Sequence, residues 1–269
     1  MNGATILSIK DFADFTGLPE STLRYYDKIG LLSPERRGEN RYRYYTPVQA
    51  FSVEYLKVLI KVGVPLSAIK NIYKKRMPED VLALLTKQEQ KLDAQLHELQ
   101  KAFSILHTYR NTIQAGILAD EDDISVHALD EKLITLGEVT DFSNTDSFYG
   151  PFMDFYMQAR ESNIDLHYPI GGYYASIDDF LKAPGQPTRF FSLDPRGNSK
   201  RSAGQYLVAH NKGYYGEFGD LPQKLVAYAK TNRLTFRGPL FVVYLLDEIS
   251  VADHKNYLAQ IVVSVSKSR

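Results

Sequence analysis

Residues Ser8 to Lys28 read SIKDFADFTGLPESTLRYYDK and contain the pattern of two short helices joined by a turn. Gly17 can supply the left-handed backbone that such a turn often needs, and Pro19 suits the first turn of the second helix. The first helix has a buried stripe at the spacing i, i+3, i+4 and i+7, formed by Ile9, Phe12, Ala13 and Thr16. The stretch therefore predicts a helix-turn-helix.

The second predicted helix has two unlike faces. Leu23 and Tyr26 share the inward face. The outward face combines hydrogen-bond donors with positive charge, from Ser21, Arg24, Tyr25 and Lys28. Such a face suits a helix that lies in a DNA major groove. The alternative is the ordinary solvated surface of a helical hairpin, because helix-turn-helix patterns also occur in proteins that do not bind DNA.

Basic and aromatic residues alternate soon after the second helix. Residues 36–50 read RRGENRYRYYTPVQA, in which arginines interleave with tyrosines around a turn at 38–40. This alternation predicts a small β-hairpin wing whose side chains reach the DNA backbone or the minor groove.

Residues 23–45, LRYYDKIGLLSPERRGENRYRYY, resemble the signature of the MerR family of transcription regulators. Members of that family carry a winged helix-turn-helix, an arginine-tyrosine wing and a long dimerisation helix. The size and content of the remaining chain resemble the multidrug-sensing BmrR type within the family. The resemblance implies a mixed fold, with a mainly α winged helix-turn-helix, a long coiled-coil helix and a C-terminal α+β effector-binding domain of the kind called GyrI-like.

The resemblance also implies a set of DNA contacts. The residues nearest the bases are expected to be Ser21, Thr22 and Arg24. Phosphate or minor-groove contacts are expected from Tyr25, Arg41, Arg43 and Lys61, and further contacts from Tyr26, Tyr42 and Tyr44. For Lys61, the alternative is a cation favourably placed at a helix C-terminus.

Two more helices are predicted before a break at Met77 and Pro78. The first of them follows Pro47 and ends at Gly63. Its predicted apolar stripe comprises Phe51, Tyr55, Val58, Leu59 and Val62.

A heptad repeat follows the break. Every seventh residue is apolar at Leu85, Leu92, Leu99, Leu106 and Ile113. One chain cannot bury such a seam alone, so the repeat predicts a homodimeric coiled coil, with the chain's own effector domain as the alternative partner. Glu89 and Arg110 lie about equally far from Leu99, and an antiparallel pairing would bring each close to the other on the partner chain. We therefore predict an antiparallel dimer.

Charge and composition favour three parts: residues 1–76 as the DNA-binding domain, 77–119 as the dimerisation helix and 120–269 as the effector domain. The 269-residue chain has a net charge of +0, yet residues 1–76 hold 13 Lys and Arg against 7 Asp and Glu. This basic excess is where a polyanion is expected to bind. The acidic run at 120–123 predicts a solvated linker.

The effector domain is predicted to be a pseudo-duplicated α+β unit. Its β-forming and aromatic stretches predict strands near 125–136, 166–176, 188–194, 204–212, 239–247 and 257–266. Helices are predicted near 147–161 and 219–232, the second with a start signal at Asp220 and Pro222.

The resemblance implies an aromatic pocket that holds a lipophilic cationic small molecule, attracted by ring faces and by apolar burial. The expected pocket residues are Tyr149, Phe152, Tyr156, Tyr168, Tyr173, Tyr206, His210, Glu217 and Tyr244. Where the family has a pocket glutamate, the chain aligns Val242. The charge is then expected from Asp154, Glu217 or Asp247, or the aromatic rings act alone.

By the same resemblance, the partners are double-stranded promoter DNA and the RNA polymerase holoenzyme. The dimer is expected to occupy a promoter with an over-long spacer and to realign it by distortion once the effector binds. The alternatives for the C-terminal domain are a neutral or anionic metabolite, or a hydrolase activity.

Several kinds of site are not expected from the sequence. The chain has no cysteine, which excludes thiolate metal centres and disulfide switches, and its six histidines have no metal-ligand spacing. No cofactor and no enzymatic activity are expected, because the phosphate-loop, HExxH and GxSxG motifs do not occur. No apolar stretch reaches about 18 residues and no signal pattern opens the chain, so we expect a cytoplasmic protein with no membrane partner.

Overall fold

The computed structural model describes residues 5–75, 77–121, 123–143, 149–162 and 164–267. The chain divides into two compact units, residues 1–100 and 101–269. The boundary falls inside one long helix, so the three-part division drawn from the sequence stays a prediction. Residue 122 of the acidic run, and residues 147–148 at the start of a predicted helix, lie outside the described residues.

The N-terminal unit contains the winged helix-turn-helix that the sequence predicts. Its elements are β1 (Leu7–Ser8), α1 (Ile9–Thr16), α2 (Glu20–Lys28), β2 (Arg36–Arg37), β3 (Arg43–Tyr45), α3 (Gln49–Lys61) and α4 (Leu66–Lys75). The three strands pair antiparallel in the order β1-β3-β2. Ser8 caps α1 in a capping box with Asp11, and Gly17 ends the helix with a φ of 67°.

The core of this unit confirms the stripe predicted for α1, whereas the stripe predicted for α3 is confirmed only in part, at Leu59 and the partly buried Val62. Phe12 of α1 stacks on Tyr45 of β3, with ring centroids 4.6 Å apart. On α3 the buried residues are Val53, Leu56 and Leu59. Phe51 is 78% exposed and Val58 56% exposed, because α3 carries apolar residues on two faces and the core takes the other one.

The long helix α5 (Pro78–Leu118) has 41 residues and is about 60 Å long. Near its start, Leu84 and Leu85 pack against the N-terminal core. The apolar residues farther along are exposed in the single chain, at Leu92, Leu96, Leu99, Phe103 and Leu106. Among the described residues, no helix is both long and apolar enough to cross a membrane.

Within the described residues, the C-terminal unit contains an eight-stranded antiparallel sheet, three helices of its own and the part of α5 from residue 101 onward. Its strands are β4 (Ile124–Leu129), β5 (Lys132–Val139), β6 (Ile170–Tyr174), β7 (Arg189–Ser192), β8 (Ser199–Arg201), β9 (Gly204–Lys212), β10 (Leu234–Leu246) and β11 (Leu258–Lys267). The helices are α6 (Tyr149–Glu161), α7 (Ile177–Lys182) and α8 (Leu221–Thr231), with a short 3-10 turn at His254–Asn256. The strand order is β4-β9-β11-β10-β6-β7-β5-β8.

The structure refines the predicted element order. The strand expected at 125–136 is two strands that join different parts of the sheet: β4 pairs with β9, whereas β5 pairs with β7 and β8. Helix α7 and strand β8 were not predicted.

Central strand β10 separates two layers of side chains. Leu240 and Val242 belong to the core beneath α7 and α8, whereas Phe241 and Val243 belong to the core on the other face. The alternation follows from the two-residue period of a strand. It determines which residues can line a cavity on each face.

Candidate DNA interface and ligand cavity

Helix α2 presents most of the predicted base-contacting residues to solvent. Ser21, Arg24 and Tyr25 are exposed, and Thr22 is partly exposed. Arg24 donates to Glu20 one turn earlier at 2.8 Å, an exposed pair that DNA can displace.

Tyr26 is a correction to the predicted DNA contacts. It is only 8% exposed and belongs to the hydrophobic core of the N-terminal unit. It lies three residues after buried Leu23, which places both side chains on the inward face of α2. Burial also raises the pKa of its hydroxyl.

The wing, residues 36–45, is tied to α2 by one carboxylate. Asp27 at the end of α2 accepts hydrogen bonds from Arg37 at 2.7 Å and from Arg43 at 2.6 Å. Arg43, a predicted phosphate contact, therefore uses its Nε to hold the wing against α2.

The remaining wing residues form a basic and aromatic edge. The guanidinium of Arg36 lies 5.0 Å from the ring centroid of Tyr44, and the rings of Tyr42 and Tyr44 pack edge to face with centroids 5.5 Å apart. Arg41 and Tyr42 are exposed, and Arg41 occupies the turn with a φ of 61°. Lys61 is exposed in the last turn of α3.

An aromatic cavity of about 560 Å³ opens in the C-terminal unit. Its floor includes Gly171 and Gly172 of β6, next to Val242 of β10. A Cβ at Gly171 would lie 2.4 Å from the ring of Phe191, so glycine is required there for close packing. The aromatic residues that line the cavity are Tyr109, Tyr149, Phe152, Tyr168, Tyr174, Phe190, Tyr214, Tyr215, Phe218, Tyr244 and Tyr257.

Hydrogen bonds hold several of these rings in place. The hydroxyls of Tyr149 and Tyr214 are 2.6 Å apart, and this contact is the main reason that the pKa of Tyr214 rises to about 12. The hydroxyl of Tyr244 accepts from the backbone N–H of Gly216 at 2.9 Å and donates to the carbonyl of Tyr214 at 3.1 Å. The cavity walls are therefore preorganised.

Two carboxylates lie in the wall of the aromatic cavity. Asp247 and Glu248 follow the end of β10, and the hydroxyl of Tyr215 donates to Glu248. Burial raises the pKa of Asp247, so a neighbouring cation would stabilise its charged form. No Lys, Arg or His is among the described residues that line this cavity.

The structure brings four of the predicted pocket residues together in the cavity wall: Tyr149, Phe152, Tyr168 and Tyr244. Of the three candidate carboxylates, it brings Asp247 there as well. Glu248 was not predicted from the sequence, although it follows Asp247 directly. Tyr109, Tyr214, Tyr215 and Tyr257 were also missed, because the sequence does not reveal which tyrosines face one space.

The other predicted pocket residues lie outside the aromatic cavity and are corrections. Tyr173 points to the opposite sheet face, where it packs on Phe241 at 5.5 Å. Tyr206 donates to the carbonyl of Ser202 at 2.7 Å on that same far side.

Three further predictions are corrected in the same way. His210 is paired with Gln260 across β9 and β11, and burial lowers its pKa. Glu217 accepts from the backbone N–H of Tyr214 at 3.2 Å, a contact within the 214–217 turn, and does not line the aromatic cavity. Tyr156 lines a separate, polar cleft beside Arg160.

Residues 164–169, here called the strap, connect the cavity wall to α5. Leu166 and Tyr168 of the strap line the cavity, and the hydroxyl of Tyr168 donates to Ser104 of α5 at 3.0 Å. Asp165 pairs with Lys101 of α5 at 2.9 Å.

Asp165 also binds His167 and Arg196, at 2.6 Å and 3.2 Å. Burial by itself would raise the pKa of Asp165, but hydrogen bonds from Lys101 and His167 outweigh that effect and hold the pKa at about 2. The described residues contain no group of three or more His, Asp or Glu placed to hold a metal ion.

The chain is similar in sequence to known regulatory proteins. A sequence model of the MerR family of regulatory proteins matches residues 8–45. The chain is 25% identical over 263 residues to the multidrug-efflux transporter 2 regulator of Bacillus subtilis (strain 168), covering 96% of this chain and 95% of that protein. It is 30% identical over 133 residues to the uncharacterized HTH-type transcriptional regulator YyaN of the same organism, covering 42% of this chain and 96% of YyaN.

Among solved structures, the chain is similar to the cryo-EM structure of the EcmrR–DNA complex in EcmrR-RPo. The two sequences are 17% identical, the match covers 97% of this chain and 100% of that chain, and the TM-score is 0.38. The family assignment rests on the sequence matches. The chain belongs to the MerR family of DNA-binding transcription regulators.

Proposed function

We propose that the protein is a homodimeric, ligand-responsive transcription activator whose effector is a lipophilic cation. The observation that carries this proposal is the wall of the aromatic cavity, which combines tyrosine faces with Asp247 and Glu248 and contains no basic side chain among its described residues. Ring faces and carboxylates both attract a weakly hydrated cation, and the apolar wall favours a lipophilic one.

The size of the cavity agrees with a drug-sized effector, since about 560 Å³ lies within the roughly 300–1,000 Å³ that is common for such sites. An anionic metabolite would meet two carboxylates, and no Lys, Arg or His among the described lining residues would offset their charge. The relative named as a regulator of a multidrug-efflux transporter supports an effector of this kind.

The strap supplies a route from effector to α5. A ligand in the aromatic cavity would contact Tyr168, which is bonded to Ser104, and would also contact Tyr109, which belongs to α5 itself. A ligand in the cavity would then contact α5 differently in its different positions and would favour one of them. A ligand-driven conformational change requires such a difference in contacts.

At the promoter, each protomer would place α2 in a major groove and the wing on the flanking backbone. The effector-bound dimer would kink and untwist a promoter whose spacer is too long for RNA polymerase holoenzyme, and so realign its two elements. The exposed arginines of the wing and Lys61 supply the phosphate contacts that such distortion needs.

The dimer would form through the exposed heptad residues of α5, in antiparallel register. Glu89 and Arg110 are both exposed and would pair between chains. We expect Arg110→Glu to weaken dimerisation and the double change Glu89→Arg with Arg110→Glu to restore it, as measured by sedimentation velocity. A double variant as weakly dimeric as the single one would rule out this register.

Transcription in vitro tests the proposal directly, with tetraphenylphosphonium as the cation and tetraphenylborate as an anion of matched size. We expect the cation alone to activate an over-long-spacer promoter, and shortening the spacer to abolish the dependence. Glu248→Gln should raise the cation concentration needed for half-maximal activation about 10-fold to 100-fold, because a charged contact is lost.

Asp154→Asn is the matched control, because Asp154 is exposed on α6 and is not part of the aromatic cavity. Equal activation by tetraphenylborate would contradict the cationic effector. An unchanged response of Glu248→Gln would remove that carboxylate from the site.

A further inference from the structure

A second cavity, of about 420 Å³, lies on the other face of β10. Phe241 and Val243 line it, whereas Val242 and Tyr244 line the aromatic cavity. Alternation along one strand therefore separates the two cavities. Side chains of α5, including Thr112, line the second cavity as well.

The polar part of the second cavity is cationic. Lys132 of β5 and Arg201 of β8 both line it, and the two residues lie directly opposite each other in the β5–β8 register. Like charges directly opposite in a sheet repel each other. The one carboxylate among the described lining residues, Glu131, is paired with Lys200 at 2.6 Å.

Arg201 has an unused donor at this position. One of its terminal nitrogens donates to the carbonyl of Asp130 at 3.0 Å, and its guanidinium lies 5.2 Å from the ring centroid of Tyr206. Its Nε is buried and has no hydrogen-bond acceptor among the described residues. A buried charged donor without an acceptor is costly, and an anion would remove that cost.

The pKa values of both basic side chains are lowered, as this geometry implies. Burial lowers the pKa of Arg201. Lys132 is exposed as a residue, yet burial around its amino group and the charge of Arg201 lower its pKa too. An anion beside the two groups would oppose both effects.

We propose that the second cavity binds an amphipathic organic anion, a carboxylate or sulfonate joined to an apolar body, with the anionic group held by Lys132 and Arg201. The apolar body would lie against Phe241, Val243 and Val262. The protein would thus have two sites of opposite charge preference on the two faces of one sheet, both in contact with α5.

Decanoate is a suitable probe for the full-length protein, titrated by calorimetry with decyltrimethylammonium as the cation of matched length. We expect saturable decanoate binding that Arg201→Gln and Lys132→Gln each weaken about 10-fold to 100-fold. Arg237→Gln is the matched control, since Arg237 is an exposed arginine of the same sheet that lines neither cavity. Binding of decyltrimethylammonium should be unchanged in all three variants.

Circular dichroism melting curves establish that each variant is folded. If Arg201→Gln is unstable, Lys132→Gln still tests the site, because it changes an exposed residue. Saturating tetraphenylphosphonium should leave decanoate bound. The proposal is overturned if decanoate does not bind, if it binds both site variants as tightly as the parent protein, or if tetraphenylphosphonium competes with it for one site.

Discussion

Asp27 in the N-terminal unit and Asp165 in the C-terminal unit are both almost fully buried carboxylates held by basic side chains. The side chain of Asp27 is 2% exposed and binds Arg37 and Arg43. The side chain of Asp165 is 6% exposed and binds Lys101, His167 and Arg196.

The two carboxylates differ in the distance along the chain over which they act. The partners of Asp27 lie 10 and 16 residues away and both belong to the wing, so Asp27 acts within one local surface of the N-terminal unit. Lys101 lies 64 residues before Asp165 and belongs to α5. Asp165 therefore joins α5 to the strap, whose Leu166 and Tyr168 line the aromatic cavity.

The largest expected effect is that of Asp27→Asn. The change removes the negative charge and replaces one of the two acceptor oxygens with an NH2 donor that would face a guanidinium, and Arg43 is itself only 24% exposed. We expect a loss of about 3 kcal/mol in the free energy of unfolding of the N-terminal unit, with weaker DNA binding because the wing loses its anchor. Urea unfolding followed by circular dichroism measures it, since the chain has no tryptophan.

Asp14→Asn is the control for this change, because Asp14 is exposed on α1. A loss for Asp27→Asn no larger than that of the control would mean that the wing is held by its backbone pairing alone.

A smaller, pH-dependent effect is expected at Asp165. Its folded-state pKa of about 2 lies below the ordinary value of 3.8, so the unfolded chain binds the proton more tightly. The stabilisation of about 2 kcal/mol is then present above about pH 5 and is lost as the pH falls toward 2. The difference in unfolding free energy between the parent protein and Asp165→Asn should shrink to about half by pH 3.

Asp220→Asn supplies the comparison, since Asp220 forms an exposed ion pair with Lys224. Its effect should stay below about 1 kcal/mol. A difference for Asp165→Asn that does not change between pH 6 and pH 3 would show that the ion pairs do not stabilise the charged carboxylate.

The smallest expected effect is that of Arg24→Ala on base preference. We expect a loss of about 1 kcal/mol in the discrimination between operator and random duplex, at the low end for an arginine because Arg24 must first leave Glu20. Lys61→Ala should instead weaken binding to all sequences and lower the salt slope by about 1. If Arg24→Ala lost equal affinity for the operator and for a random duplex, Arg24 would contact the DNA backbone and not the bases.

Local patterns in the chain were enough to predict the helix-turn-helix, the wing and the long helix. The stripe of α1, the turn at Gly17 and the heptad repeat each depend on spacings within a few turns, so a single sequence contains them. The same reasoning was right only in part for α3, where two apolar stripes compete and local spacing cannot rank them.

The lining of the aromatic cavity could not be predicted from the sequence, because strand pairing decides which side chains meet. Tyr173 and Tyr174 are neighbours in the chain, yet only Tyr174 lines the aromatic cavity. Asp247 and Glu248 reach the cavity wall only because β10 ends beside it. The composition alone predicted a domain rich in aromatic residues. The face of the sheet on which each ring and each charged group lies was decided by strand register, strand order and the packing of α5 against the sheet. These are contacts between residues far apart in the chain, so no local sequence pattern contains them.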